Sequence, residues 1–309
     1  GNELIPCAET EFARDRTFGY QSSDLKEYIE EKTDGRVCRT EVMSFSVDEL
    51  REKSLGALTE KLMEAKEGRK IIVNALDYSD LKVFSVAVFQ AMEKGKIFLF
   101  RSAASLVKCL GAIDDRELLK HSEIISESET GGLVVVGSHT EKTTRQLKAL
   151  LELEETVPIA FRSSLVLKEE DKLEEEIRRC LRLEEKTLLE GKTAVVYTER
   201  EDLSRVCTDK EEALTISVKI SEALCSLISR LNVKPAFVAA KGGITSADVA
   251  VKGLHMKEGV VLGQLLPSVP VYQTAEDSRF QAIPYVIFPG NTGDDTSLKE
   301  AVEILMGKE

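Results

Sequence analysis

The stretch Lys241-Gly242-Gly243-Ile244-Thr245-Ser246 follows a short apolar run, 235–240, and opens a segment whose apolar residues recur at helical spacing. A strand that turns through two glycines into a helix leaves the first backbone N–H groups of the helix unpaired, and the helix macrodipole favours an anion there. The stretch therefore predicts either a phosphate-binding loop or an ordinary strand-to-helix turn with a hydroxyl N-cap. The six residues alone fit both interpretations.

Two other turns in the second half share this order of apolar run, glycine-containing turn and helical segment: Gly137-Ser138-His139-Thr140 and Gly290-Asn291-Thr292-Gly293. In a parallel sheet all strand-to-helix turns lie at the carboxyl edge, so the three turns are predicted to converge on one crevice. Glycines allow the backbone to approach phosphate oxygens, and Ser138, Thr245 and Lys241 offer hydroxyl and cationic donors. We predict a nucleotide or phosphoester site there, with plain turn chemistry as the alternative, since neither GxxxxGK[ST] nor a GxGxxG after a strand occurs.

Short apolar runs alternate with longer amphipathic segments along the whole chain, and runs such as 71–77, 97–100 and 193–197 are predicted strands. This alternation is typical of a parallel sheet covered on both faces. We predict an α/β fold with two domains, each a mainly parallel sheet with helices on both faces. A charged and polar stretch between about 112 and 131 indicates the boundary, so the first domain is predicted over 1–130 and the second over 131–309.

The composition excludes several classes of protein. With 309 residues, 42% of them hydrophobic, the chain is long enough for two cores, and its net charge of -12 opposes binding to nucleic acid or anionic membranes. No apolar run reaches the ~20 residues of a membrane span, and the six cysteines are scattered without a CxxC pair. We expect a cytoplasmic protein whose partners are small molecules; a homo-oligomer is compatible with the sequence.

Candidate substrate residues lie in the first half, where Asn74, Asp77, Asp80 and Arg101 stand at or just beyond the ends of predicted strands. An aspartate can bind sugar hydroxyls and an arginine can bind a carboxylate, so Asp77 and Arg101 are the substrate candidates, although surface turn residues look the same.

Three further residues in the second half each have a functional and a structural interpretation. His139 suits a general base, a nucleotide contact or a helix cap. Asp294 and Asp295 suit either Mg²⁺ bound to phosphates or the first turn of the last helix. We assign no catalytic residue and no metal ligand.

With these turns the chain resembles the four-carbon acid sugar kinase family, the tetronate kinases, which phosphorylate threonate, erythronate or 3-oxo-tetronate with ATP. The resemblance is carried by Val135-Val136-Gly137-Ser138 with Thr143-Thr144-Arg145-Gln146, by 240–246, by 263–270 and by 288–294. It covers the family's nucleotide-binding domain over roughly 132–306, and residues 1–115 look like the later part of its substrate-binding domain.

The resemblance implies a transferase of carbohydrate metabolism that uses ATP with Mg²⁺ and an acid-sugar hydroxyl as the phosphoryl acceptor. It also implies that ATP is contacted by one residue of the first turn, four of the second and one of the third: Ser138, Gly242, Gly243, Ile244, Thr245 and Gly290.

Three departures from the family pattern limit these expectations. The family's acidic loop near the N-terminus has no counterpart here, so part of the substrate domain is expected to be missing. Ile244 replaces an acidic residue, and Phe288-Pro289 replaces a Lys-Ser pair, which indicates a subfamily whose acceptor need not be a tetronate. The alternative function is a non-catalytic nucleotide-binding or regulatory module; the lack of GxGxxG disfavours a dinucleotide oxidoreductase.

Overall fold

The computed structural model describes residues 4–14, 19–66, 68–168, 170–200 and 210–308. The chain forms two compact units, Gly1–Asp115 and Arg116–Glu309. The division lies closer to the N-terminus than the boundary near 130 that the composition predicted. The reason is that Leu119 and Ile124 are buried within the otherwise polar stretch, and the Leu119 N–H donates to the Gln264 carbonyl at 2.8 Å.

The first unit is built around two short parallel strands, β1 (Met43–Phe45) and β2 (Ile71–Val73). Its α-helices are α1 (Leu25–Lys32), α2 (Val47–Glu52), α3 (Leu55–Glu64), α4 (Tyr78–Glu93) and α5 (Ala104–Leu110). Apolar residues at helical spacing on α3 and α4, among them Leu58, Leu62 and Phe84, pack against Phe45 of β1. This cluster is the core of the unit.

The strand predicted at 97–100 is wrong. Phe98 packs against the core of the first unit, but Ile97 and Leu99 are 95% and 101% exposed. The alternation of buried and exposed side chains is that of a strand. No backbone hydrogen bond joins this stretch to any other residue that the structure describes, so it pairs with neither β1 nor β2.

The second unit contains a seven-stranded sheet with the order β4-β5-β3-β6-β9-β8-β7. Five of these strands, β4 to β9 in that order, are parallel, whereas β8 and β7 are antiparallel. The prediction of a mainly parallel sheet is confirmed for this unit. The strands are β3 (Leu133–Val136), β4 (Thr156–Phe161), β5 (Thr193–Thr198), β6 (Val238–Lys241), β7 (Gly259–Leu266), β8 (Val269–Thr274) and β9 (Pro284–Phe288).

Helices cover both faces of this sheet, as predicted. The helices of the unit are α6 (His121–Ile124), α7 (Glu141–Leu150), α8 (Glu170–Leu189), α9 (Lys210–Ser229), α10 (Gly243–Asp248), which continues as a π-helical turn over Val249–Gly253, and α11 (Ser297–Leu305). Alternate residues of β3 point to opposite faces: Val135 packs in a cluster with α8 and α9, and Val134 packs in a cluster with α7 and α11. All four residues of β3 are therefore buried.

Among the residues that the structure describes, none of the helices combines the length and the apolar character needed to cross a membrane. The described cysteines are all free thiols, and Cys180 and Cys225 are buried. Cys207 lies outside the described residues.

Candidate functional site

The three glycine-containing turns begin side by side. Strands β3, β6 and β9 are parallel neighbours, and Val136, Lys241 and Phe288 stand opposite one another at their carboxyl ends. The residue that follows each strand therefore enters its turn at the same level of the sheet. The convergence expected from the strand-to-helix order is present in the structure.

The first and second turns approach so closely that only glycine fits at the contact. A Cβ atom on Gly137 would lie 2.4 Å from the Thr245 Oγ1, and one on Gly242 would lie 3.4 Å from the Ser138 Cβ. Gly242 also has φ of 117°, a conformation that residues with a Cβ rarely adopt. These two glycines bring Ser138 and Thr245 together.

The helical segment that starts at Gly243 opens with unpaired donors. Gly242 is the N-cap and supplies no side-chain cap, and the first N–H that bonds back into the turn is that of Ser246, to the Gly242 carbonyl at 2.9 Å. The N–H groups of Gly243, Ile244 and Thr245 donate to no other residue within the described part of the chain. The positive end of the helix thus presents free donors, which is the arrangement that binds an anion.

Space for a ligand lies beside two of the glycines. A Cβ atom added to Gly243 or Gly290 would meet no atom within 4 Å. Ile244, between the glycine pair and Thr245, is 73% exposed. The second and third turns are therefore open at these two glycines.

Lys241 does not have the role that the sequence indicated. It is fully buried, and its Nζ donates to the carbonyls of Pro289 and Gly290 at 2.7 and 3.0 Å, 4.6 Å from the centre of the Phe288 ring. Burial, with a smaller effect of Lys142, lowers the pKa of Lys241 to about 8. The side chain joins the second turn to the third, so it supplies no exposed charge for a phosphate.

Ser138 belongs to a network of hydroxyl groups at the start of α7. Thr143 Oγ1 donates to Ser138 Oγ at 3.2 Å, and Thr140 Oγ1 donates to Thr143 Oγ1 at 3.0 Å. Thr140 also accepts from the Thr143 N–H and is the N-cap of α7. His139 Nε2 lies 3.1 Å from Thr198 Oγ1 at the end of β5. The capping role considered for His139 therefore falls to Thr140.

The third turn is held by α7 in a way that the sequence did not predict. Gln146 Nε2 donates to the carbonyls of Thr292 and Asp294 at 3.0 and 2.6 Å, and Lys142 Nζ donates to the Asn291 carbonyl at 3.1 Å. Both α7 residues are one helical turn apart and follow the first glycine turn in the sequence. Their i, i+4 spacing indicates that both side chains lie on the same face of α7. The spacing does not reveal their partners, because these lie about 150 residues away in the chain.

The two acidic residues after Gly293 are engaged in structural contacts. Asp294 Oδ1 accepts from the Ser297 hydroxyl and from the N–H groups of Thr296 and Ser297 at the start of α11, and these bonds lower the pKa of Asp294. Asp295 pairs with Arg145 at 2.9 Å. Among the described residues, no group of three or more His, Cys, Asp or Glu side chains could hold a metal ion.

In the first unit, Asp77 is the N-cap of α4, and its Oδ1 accepts from the N–H groups of Ser79 and Asp80. The neighbouring Asp80 is 2% exposed and pairs with Arg51 at 2.7 Å. Arg101 is exposed and forms no hydrogen bond or ion pair with the rest of the described chain. Asp77 and Arg101 therefore do not contact each other, and their role in substrate binding stays a prediction.

The chain matches the models of two domain families. A sugar-binding N-terminal domain matches residues 3–110, and a nucleotide-binding C-terminal domain matches residues 133–298. The first falls within the first unit and the second within the second unit. No curated protein has a sequence that matches the chain significantly.

The fold is similar to that of solved structures. A Salmonella typhimurium LT2 protein described as a candidate tRNA synthase superposes with a TM-score of 0.64 at 15% identity, over 95% of this chain and 66% of that chain. A Haemophilus influenzae protein of the family DUF1537 gives a TM-score of 0.57 at 16% identity, over 96% and 68% of the two chains. The chain thus spans about two thirds of the length of these structures, and the likeness shows the fold alone.

Proposed function

Because this chain belongs to the four-carbon acid sugar kinase family, we propose that it transfers the γ-phosphoryl group of ATP to a hydroxyl of a small acid sugar, such as threonate, erythronate or 3-oxo-tetronate. The resemblance found in the sequence motifs is confirmed by both domain matches. The observation that carries the proposal is the row of free N–H groups at Gly243, Ile244 and Thr245 beside the open face of Gly290.

These residues fit a triphosphate. The free N–H groups and the positive helix end suit phosphate oxygens, Ser138 and Thr245 add hydroxyl groups, and the glycines leave room for the ligand. Mg²⁺ commonly keeps several waters and is bound through the phosphates with one or two carboxylates. It would neutralise phosphate charge in the complex, and we assign it no protein ligand.

Catalysis in phosphoryl transfer is mostly positioning and electrostatic stabilisation. In this proposal the N–H groups of the second turn stabilise negative charge that develops on the phosphate oxygens. The Ser138 hydroxyl holds these phosphate oxygens in position. On the acceptor side, Asp77 and Arg101 are proposed to contact the acid sugar. The catalytic base is not assigned.

The alternative function is a nucleotide-binding module without catalysis. One observation favours it: the Asp77 carboxylate already caps α4. In this case ATP would bind at the same turns without turnover.

Substitution of the open glycines tests the proposal. Gly243→Ala and Gly290→Ala add a methyl group where the structure has free space, so both variants are expected to fold as the wild type does. A bound phosphate would meet the new methyl, and we expect ATP affinity to fall about tenfold or more, or about 1.4 kcal/mol. Titration calorimetry with ATP and Mg²⁺ measures the effect.

Gly56→Ala in α3 is the matched control, because its added Cβ would also find open space, with Ser54 Oγ 4.0 Å away. A wild type that does not bind ATP would contradict both functions. ADP release over a panel of acid sugars then separates them, since binding without turnover on any sugar acid favours the module.

A further inference from the structure

Arg200 lies just beyond β5, the strand that neighbours β3 in the sheet. Its Nε and Nη2 both donate to the Thr144 Oγ1, at 3.2 and 2.7 Å. Its Nη1 is buried and has no hydrogen-bond partner among the residues that the structure describes. The guanidinium therefore uses one neutral hydroxyl as its acceptor and leaves one of its three nitrogens unbonded.

No acidic side chain among the described residues forms an ion pair with Arg200, and burial lowers the pKa of its guanidinium. A partly buried cation without a counter-charge is unfavourable. Glu184 shows the difference: it is fully buried, its carboxylate oxygens have no hydrogen-bond partner among the described residues, and burial raises the pKa of Glu184 well above its usual value, so this acid becomes neutral by keeping a proton. An arginine stays charged at neutral pH and therefore needs an anion.

The position of Arg200 connects it to the phosphate turns. Thr144 Oγ1, which accepts from Arg200, donates to the Thr140 carbonyl at 3.1 Å. Thr140 Oγ1 in turn lies 3.5 Å from Ser138 Oγ. Arg200 thus stands on the β5 side of the first turn of α7, whose positive helix end also favours an anion.

We propose that Arg200 is a further nucleotide-binding residue, which contacts a phosphate group of ATP from the β5 side of the crevice. This inference rests on the proposed function and extends it by a residue outside the three glycine turns. Arginine is well suited to the role because its planar group binds phosphate with two parallel hydrogen bonds. The phosphate would supply the counter-charge that no described residue gives Arg200.

The test compares Arg200→Gln and Arg200→Lys with Arg182→Gln, a control that removes the same charge from an exposed position of α8. Calorimetry measures the binding of ATP, ADP, adenosine and pyrophosphate. For Arg200→Gln we expect at least a tenfold loss of affinity for the three phosphate-bearing ligands and unchanged adenosine binding. Arg200→Lys should restore part of the loss, since it keeps the charge but not the planar geometry.

A second measurement separates binding from a structural role. Without ligand, Arg200→Gln is expected to melt at the same temperature as the wild type or higher, because a partly buried charge that has no ion pair among the described residues is removed. A lower melting temperature together with equal losses for adenosine and ATP would overturn the proposal. So would ATP binding by Arg200→Gln that equals the wild type. A wild type that binds neither ATP nor pyrophosphate would instead overturn the proposed function.

Discussion

Two sites rich in polar groups differ in how those groups are bonded. One is the set of three glycine-containing turns in the second unit, and the other is the polar corner of the first unit, formed by Asp77, Asp80 and Arg51. At Asp77 the polar groups bond one another: Asp77 caps α4, and Asp80 pairs with Arg51. At the second turn of the sheet, three consecutive N–H groups have no acceptor in the described part of the chain, and space is open beside them at Gly243. We therefore base the proposed binding site on unused donors rather than on the presence of polar residues.

The largest loss of stability and of ATP binding is expected from substitution of Gly137, which lies where the first and second turns meet. Gly137→Ala places a methyl 2.4 Å from the Thr245 Oγ1, and overpacking of this kind costs about 1–3 kcal/mol. The free energy of unfolding, measured in urea, should fall by that amount, and ATP binding should be lost. Gly243→Ala is the control, because its added Cβ would meet no atom within 4 Å. Equal stability of the two variants would contradict the close approach.

The next largest change in unfolding free energy is expected from substitution of the buried Lys241. Lys241→Met leaves the carbonyls of Pro289 and Gly290 without their donor, and we expect a loss of about 1–3 kcal/mol in unfolding free energy at neutral pH. Urea unfolding of both proteins at several pH values provides the measurement.

The same pair of proteins has a pH dependence with a defined sign. The pKa of Lys241 is lowered from 10.5 to about 8 in the folded protein, so the unfolded chain holds this proton more tightly. The wild type should therefore gain stability relative to Lys241→Met as the pH rises from about 8 to 10.5, and lose it as the pH falls through about 8. A difference that is constant with pH would show that Lys241 is not buried as a cation.

The smallest change in unfolding free energy is expected from substitution of Asp77. The same variants test whether the polar corner of the first unit also binds substrate, which would remove its difference from the glycine turns. Asp77→Ala removes the N-cap of α4 and should cost about 0.5–2 kcal/mol, whereas Asp77→Asn, also a good cap, should be nearly neutral. Thermal or urea unfolding measures both. If Asp77→Asn keeps its stability but loses affinity for an acid sugar, the carboxylate has a binding role as well.

The sequence predicted the elements that depend on local patterns. The buried runs at β3, β5 and β9 and the striped helix α8 lie where their periodicity placed them. The strand β4 (Thr156–Phe161) was missed, because Pro158, which cannot donate a backbone hydrogen bond to a neighbouring strand, lies in its middle. The run 97–100 has strand periodicity but no neighbouring strand, and periodicity cannot reveal whether a partner is present.

For the candidate site, the sequence identified the turns but not the contacts between them. Gly242 and Gly290 stand out as glycines after strands, which is a local signal. The hydrogen bonds of Lys241 reach residues 48 and 49 positions later, and the orphaned Nη1 of Arg200 depends on how β5 packs beside α7. Such contacts are set by the assembled sheet, so no local pattern contains them.

The segment before β3 covers part of an open edge of the sheet. Strand β7 lies at the end of the sheet and exposes Val260 and Val261, and an open apolar edge of this kind invites a strand from another molecule to pair with it. The Leu119 N–H and the Arg116 guanidinium occupy the carbonyls of Gln264 and Leu262 on that strand. A shortened protein that began at 131 would lack this cover, and aggregation through β7 would follow.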